Sequence, residues 1–131
     1  MSEIDATNAR YQIDVTVESR FIPEQSDAQA NRWVFAYHVR LHNRGKVTAR
    51  LLTRHWVITA GNAHTQEVHG EGVVGEFPVL QPGDSYEYAS GAILETPVGC
   101  MQGSYQMLAE DGQAFDALIP AFRLAPPHLI H

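Results

Sequence analysis

The chain has 131 residues, of which 44% are hydrophobic and 18% charged, with ten glycines, seven prolines and a single cysteine. A chain of this length can form one domain with its own hydrophobic core, and a lone cysteine cannot form the internal disulfides of a small secreted scaffold. No apolar run reaches the roughly 20 residues that span a bilayer, and residues 1–10 do not resemble a signal peptide, so a cytoplasmic protein is expected.

The net charge of −6 is unevenly distributed along the chain. Residues 28–66 contain no acid and six basic residues, whereas the remainder holds three basic residues and all fifteen acids. The six are Arg32, Arg40, Arg44, Lys46, Arg50 and Arg54. This block indicates either an anionic partner for one face or an internal arrangement in which basic strands lie beside acidic ones.

Short strands separated by turn signals are predicted along the whole chain. No window of a dozen residues combines a 3.6-residue apolar period with freedom from Gly and Pro, so at most one helical turn is expected, near residues 24–31. Strands are predicted at residues 11–17, 32–42, 48–59, 66–71, 85–90, 103–108 and 114–124. The pattern predicts an all-β fold, an immunoglobulin or fibronectin type III-like sandwich of about seven or more antiparallel strands, or else a barrel.

One domain is predicted for residues 1–131, with a core over about residues 10–124, a short flexible N-terminus and a mobile C-terminal tail. The segment 43–46 is predicted to be a turn in which Gly45 takes a positive φ. If this turn were a two-residue hairpin loop, Arg50 would lie opposite Val39 on a core face. We therefore expect either a bulge or no direct pairing of the flanking strands.

Residues 70–75, Gly-Glu-Gly-Val-Val-Gly, match the G-x-G-x-x-G pattern of dinucleotide-binding folds. That fingerprint needs a helix to begin within it, and the following Pro78, Pro82 and Gly83 exclude the helix. The glycines then indicate either a tight, bulged β connection or a nest of backbone N–H groups that binds an anion. The anion site would use Gly70, Gly72 and Gly75 with Arg40, Arg50 and Arg54.

Seven histidines raise the question of a metal site. His38 and His42 would lie about 13 Å apart on a strand, too far to share an ion. Nothing in the sequence brings His55, His64 and His69 together. Scattered surface imidazoles are therefore the interpretation, and the sequence predicts neither a metal site nor a cofactor.

Catalytic residues are not indicated either, since Cys100 has no base near it in sequence and no nucleophile elbow is present. A loop after the first strand suggests a protein-binding rim, because rigid aromatic and proline side chains anchor protein interfaces. The rim would comprise Phe21, Ile22 and Pro23 with Trp33. The same residues could instead close one end of a sandwich.

An ordered set of segments resembles the ApaG family. The segments are RFIPEQS at 20–26, RHWVIT at 54–59, EVHGEGVVG at 67–75, YASG at 88–91, TPVG at 96–99, MQGSY at 101–105 and IPAF at 119–122. The resemblance covers about residues 10–127, and the ordered set is more specific than any one segment. Ala60 departs from it, because an Asp is expected there.

The resemblance implies a fibronectin type III-like sandwich in a bacterial cytosolic protein associated with Co²⁺ resistance and Mg²⁺ efflux. Related domains occur in eukaryotic F-box and DNA-polymerase-interacting proteins, which implies a protein-interaction role, and the family provides no catalytic residues to carry over. We therefore expect a non-enzymatic domain that binds an unidentified protein, with no nucleic-acid signal. Binding of phosphate, pyrophosphate or a nucleotide is the alternative, and direct binding of Co²⁺ or Mg²⁺ is a third possibility.

Overall fold

Two antiparallel β-sheets pack against each other in the computed structural model, which describes residues 9–129. The strands are β1 (Ile13–Phe21), β2 (Trp33–Asn43), β3 (Ala49–Ala60), β4 (Thr65–Glu71), β5 (Val79–Leu80), β6 (Ser85–Leu94), β7 (Gly99–Ala109) and β8 (Ala114–Leu124). One sheet has the order β1-β2-β6, and the other has the order β4-β3-β7-β8 with β5 beside β3. The predicted all-β sandwich is confirmed.

The named helical elements of the described residues are three 3-10 turns of three residues each. Among the same residues no helix is long and apolar enough to cross a membrane. Two of the turns, Pro23–Gln25 and Ala28–Ala30, lie where one helical turn is expected. The third, Pro127–Leu129, follows Ala125 and Pro126, which are buried, so the start of the predicted mobile tail is packed against the domain. The predicted flexible N-terminus falls on residues 1–8, outside the described residues.

Alternating burial places the core between the sheets. In β2, Phe35, Tyr37, Val39 and Leu41 are buried while the even-numbered residues from 36 to 42 are exposed or half-buried. Trp56 of β3 packs edge-on against Tyr37 with ring centroids 5.4 Å apart, which joins the two sheets. Apolar side chains spaced two apart on a strand bury one face of a sheet, which is why this pattern dictates a sandwich.

The segment between β2 and β3 crosses from one sheet to the other, so these strands do not pair directly. Asn43 is buried there, where its amide donates to Val47 O and Leu80 O, and its Oδ1 accepts from Gly45 N–H. The expectation of a positive φ at Gly45 is wrong. Glycine is required because a Cβ at this position would collide with the backbone carbonyl of Arg10.

A register shift in β3 decides which of its side chains face the core. Ala49 and Leu51 are buried before the shift, which lies between Leu51 and Thr53 in the pairing with β7. After it, Trp56 is the buried residue, and Arg54 shares its side of the strand because side chains alternate. The shift therefore turns the guanidinium of Arg54 toward the inner side of the sheet.

Candidate functional site

The glycine-rich segment 70–75 forms a tight β connection. Val73 and Glu76 exchange two backbone hydrogen bonds of 2.9 Å, which closes a two-residue turn. Both central residues have positive φ, 49° at Val74 and 78° at Gly75, the backbone signs of a type I′ turn. Gly72 also has a positive φ of 62°, and a Cβ there would collide with Glu76 O. The glycines of this segment thus meet the requirements of a compact turn.

Arg54 is the basic residue that the fold places against this segment. It lies opposite Gly70 in the β3–β4 register, and its Nη1 donates to Glu71 O at 3.0 Å and Gly72 O at 2.9 Å. A Cβ at position 70 would lie 2.5 Å from Arg54 Cζ, so a side chain there would collide with the guanidinium where it now sits. Two loop carbonyls therefore already bind the charge of Arg54.

The other two predicted anion-binding arginines lie elsewhere. Arg50 is on the outer face of the five-stranded sheet, where its Cζ lies 5.5 Å from the centroid of the Phe77 ring. Arg40 is on the outer side of the three-stranded sheet and donates to Ser85 Oγ at 2.9 Å. The structure thus brings Arg54 to Gly70 and Gly72 and places Arg50 beside Phe77, which follows the connection. Arg40 lies on the other sheet, apart from the two other arginines.

The predicted interaction rim is mostly internal. Ile22 is buried and its N–H donates to Val34 O at 2.8 Å, while the Phe21 ring lies 5.4 Å from that of Phe35. Trp33 is half-buried against the core cluster, and Pro23 is exposed at the start of the first 3-10 turn. These residues hold the 22–32 loop on the sandwich and leave Pro23 as their solvent-facing member.

A groove that sequence reasoning missed runs between the edges of the two sheets, alongside that loop. It consists of two adjoining concavities of about 490 Å³ each, which share Ile58, Gln66 and Ile93. Residues 91–94 of β6 and the following Glu95 form one wall, and Thr65, Gln66 and Val68 of β4 contribute to the other. Gln25 and Arg32 border one end. An apolar residue, Ile93, is 52% exposed at its centre.

Both strands that flank this groove lie at the edges of their sheets. Among the described strands, β6 pairs with β2 alone and β4 pairs with β3 alone. At the opposite side of the sandwich β1 and β8 lie against each other, with Ser19 Oγ donating to Arg123 O at 3.3 Å. The sandwich is therefore closed along one side and open along the other.

One end of the groove is polar. His64 Nδ1 lies 2.8 Å from Glu95 Oε1, and this hydrogen bond, together with one from Asn62, holds the pKa of the Glu95 carboxyl below its usual value. The apolar stretch next to it includes Ile58, Leu94 and Ile93. An apolar floor with a polar end is suited to an extended segment that carries both kinds of side chain.

The histidines are less scattered than the sequence interpretation assumes. His55, Glu67 and His69 converge on the outer face of the five-stranded sheet and form a group whose composition can hold a metal ion. His64 pairs with Glu95 instead, and His38 lies 3.1 Å from Glu87. The sequence could not reveal the group because it depends on the β3–β4 register.

Comparisons with known proteins agree on one family. The family model described as the ApaG domain matches residues 23–109. A protein named ApaG from Aromatoleum aromaticum is 58% identical over 122 residues, which cover 93% of this chain and 96% of that protein. Another, from Azotobacter vinelandii, is 58% identical over 125 residues and covers 95% and 99%. A Bordetella pertussis crystal structure described as ApaA has a TM-score of 0.86 at 47% identity, covering 89% of this chain and 95% of its own.

Proposed function

This chain belongs to the ApaG family, and from that premise we propose that it is a non-enzymatic domain that binds a partner protein in the groove between β4 and β6. The resemblance implies a cytoplasmic setting in Co²⁺ resistance and Mg²⁺ efflux, and we place the domain there. The observation that carries the proposal is the groove itself, an open side of the sandwich between two edge strands, one of which carries the exposed Ile93.

An extended segment of the partner is the occupant that fits best. Residues 91–95 follow one another along both concavities, so the groove exposes the last four residues of the β6 edge and Glu95 after them. An edge strand presents unpaired N–H and C=O groups, and an extended peptide satisfies them by adding a strand to the sheet. Side chains on one side of the added strand would face Ile58, and those on the other side would lie beside Ile93. Apolar residues on both sides of the strand are therefore the expected partner signature.

A matched pair of substitutions tests the proposal. Ile93→Arg places a charge in the groove, whereas Leu118→Arg places the same charge on β8, where the leucine is 71% exposed and distant in the sheet order. Immobilised wild-type chain and both variants are incubated with extract of the source bacterium. The amount of protein retained should be the same on wild type and Leu118→Arg and at least about tenfold lower on Ile93→Arg. The reason is that the binding energy of a protein interface is concentrated in a few well-packed central contacts.

Equal retention of the same proteins by all three chains would place the binding surface outside the groove. Failure of the wild-type chain to retain any specific protein would contradict the proposal as a whole. Circular dichroism of the two variants serves as the folding control, since both substitutions lie on exposed strand positions and should leave the fold intact.

Anion binding by the 70–75 connection is the second candidate. In the described part of the chain no acceptor is bonded to the backbone N–H of Val74 or Gly75, and Arg50 lies close by on Phe77. Titration with pyrophosphate or ATP should then shift the amide resonances of residues 70–75, and Arg50→Ala should weaken the effect. Arg50→Ala is preferred to Arg54→Ala, because Arg54 also holds the loop carbonyls. Unmoved amide signals would eliminate this candidate.

A further inference from the structure

Two imidazoles and one carboxylate meet on the outer face of β3 and β4. His55 and His69 are directly opposite in the register, and their rings stack with centroids 4.2 Å apart and 7° between their planes. Glu67 precedes His69 by two residues and therefore shares its side of β4, and Glu67 Oε1 lies 2.9 Å from His55 Nε2. One ligand atom from each residue lies within 4.8 Å of the other two.

We propose that His55, Glu67 and His69 bind a divalent transition-metal ion of the Zn²⁺ class. Zinc takes imidazole nitrogen and carboxylate oxygen at about 2.0–2.2 Å, which sets tetrahedral ligand atoms about 3.3 Å apart. The ligand atoms of the three side chains lie within 4.8 Å of one another, so binding one ion requires the side chains to rotate until their ligand atoms converge. Three protein ligands leave at least one coordination position to water or to another molecule.

The backbone that carries these ligands is already fixed. β3 is hydrogen-bonded on both sides, to β4 and to β7, so His55 is held in the middle of the sheet. Its side chain is 28% exposed, whereas that of Glu67 is 61% exposed. The half-buried imidazole is therefore the anchor of the proposed site, and the more exposed carboxylate and the facing imidazole complete it. This site is independent of the groove, since Gln66 and Val68 of the same strand face the other way.

The ligand types determine which ion is expected. Imidazole nitrogen suits Zn²⁺, Ni²⁺ and Cu²⁺, while Mg²⁺ requires an octahedral shell of oxygens, for which a histidine pair is unsuited. Glu71 lies two residues beyond His69 on the same side of β4 and adds negative charge close to the cation. The site should accordingly distinguish Zn²⁺ from Mg²⁺.

Titration calorimetry of the full chain with ZnCl₂ and, separately, with MgCl₂ tests the proposal. The matched control is His64→Ala, which removes an exposed histidine from a pair of the same kind, 2.8 Å from Glu95, that is not part of any three-ligand group in the described residues. Wild type and His64→Ala should bind one Zn²⁺ with equal affinity. His55→Ala and His69→Ala should each weaken that binding by at least about tenfold, and MgCl₂ should give no binding heat.

Long-range ¹H–¹⁵N spectra of the imidazole rings provide a second readout that does not depend on variants. Zn²⁺ should shift the ring nitrogens of His55 and His69 and leave those of His38 unchanged. The proposal is overturned if Zn²⁺ causes no heat, if His55→Ala and His69→Ala bind as tightly as wild type, or if only other rings shift. Thermal unfolding of each variant verifies its fold, and His69, on an edge strand, is the substitution least disruptive to the sheet.

Discussion

Val74 has an unusual backbone conformation for its residue type. Its φ of 49° lies in the left-handed region, where a β-branched side chain is sterically disfavoured by about 1–2 kcal/mol. The residue is also 66% exposed, so no core packing compensates for the strain. The turn could be made more stably with asparagine or glycine at this position. Backbone strain of this kind clusters at ligand-binding segments, which agrees with the connection as the second candidate site.

Replacing Val74 with asparagine should stabilise the protein. Asparagine tolerates left-handed φ and is favoured in type I′ turns, so Val74→Asn should raise the free energy of unfolding by about 1 kcal/mol. Urea unfolding followed by tryptophan fluorescence measures the change. The control is Val79→Asn, an exposed valine in β5 without positive φ, where the weak strand preference of asparagine should lower stability. A lower urea midpoint for Val74→Asn than for wild type would refute the strain argument.

At the level of elements, a pair of tyrosines links the two sheets through the core. Tyr88 comes from β6 and Tyr105 from β7, and their hydroxyl groups hydrogen-bond to each other. Burial raises the pKa of Tyr88 to about 12, and burial also raises the pKa of Tyr105. A buried phenol resists ionisation because the charged form loses its hydration. The pair is therefore held in the neutral form within the native sandwich.

Stability should consequently fall at alkaline pH. The pKa of Tyr88 is about 10 in the unfolded chain and about 12 in the folded protein, so the folded state holds the proton more tightly. Its contribution to the free energy of unfolding is therefore complete below pH 10 and is lost as the pH rises toward 12. The free energy of unfolding measured in urea should be about 1–3 kcal/mol lower at pH 11 than at pH 9. The double variant Tyr88→Phe and Tyr105→Phe should show a smaller difference, with Tyr86→Phe as control. An unchanged difference in the double variant would refute this explanation.

Most elements could be predicted from local patterns, and the exceptions have non-local causes. The predicted strand at residues 114–124 matches β8, whereas β6 continues to Leu94, four residues beyond its prediction. Gly91 lies within that extension, and glycine has a weak preference for strands. The pairing with β2 extends the strand through Gly91 despite that preference. β5 is only two residues long and exists because it pairs with β3. The groove wall around Ile93 was missed because it lies in the part of β6 that the strand prediction left out.

The candidate site was harder to predict than the fold, because its parts are distant in sequence. The register shift after Leu51 turns Arg54 inward, and alternation alone gives no sign of such a shift. The stacking of His55 on His69 depends on the β3–β4 register, which fixes each cross-strand pair. Sequence patterns specify faces of strands, while sites that lie between strands require the register.

For the whole molecule, the basic block of residues 28–66 meets acids of other segments at a few positions in the described part of the chain. One arginine and three histidines of that block each lie within hydrogen-bond or ion-pair distance of an acid outside it. The pairs are Arg44–Asp14, His38–Glu87, His55–Glu67 and His64–Glu95. Among the described residues Arg44 is the one arginine or lysine of the block with such a partner, so the internal arrangement accounts for part of the block and leaves an anionic partner open. The second feature at this scale is the open side of the sandwich, where β4 and β6 each pair with one strand only among the described strands.

Hydrogen exchange on the complete chain, with and without the protein retained in the Ile93 capture experiment, tests that open side most directly. Strand addition in the groove should slow amide exchange in residues 91–95, since backbone groups at an edge gain partners only when a strand is added. Exchange in β1 and β8, on the closed side, should stay the same. Slower exchange confined to residues 70–77 or to the outer faces, with none in residues 91–95, would contradict the groove as the binding site.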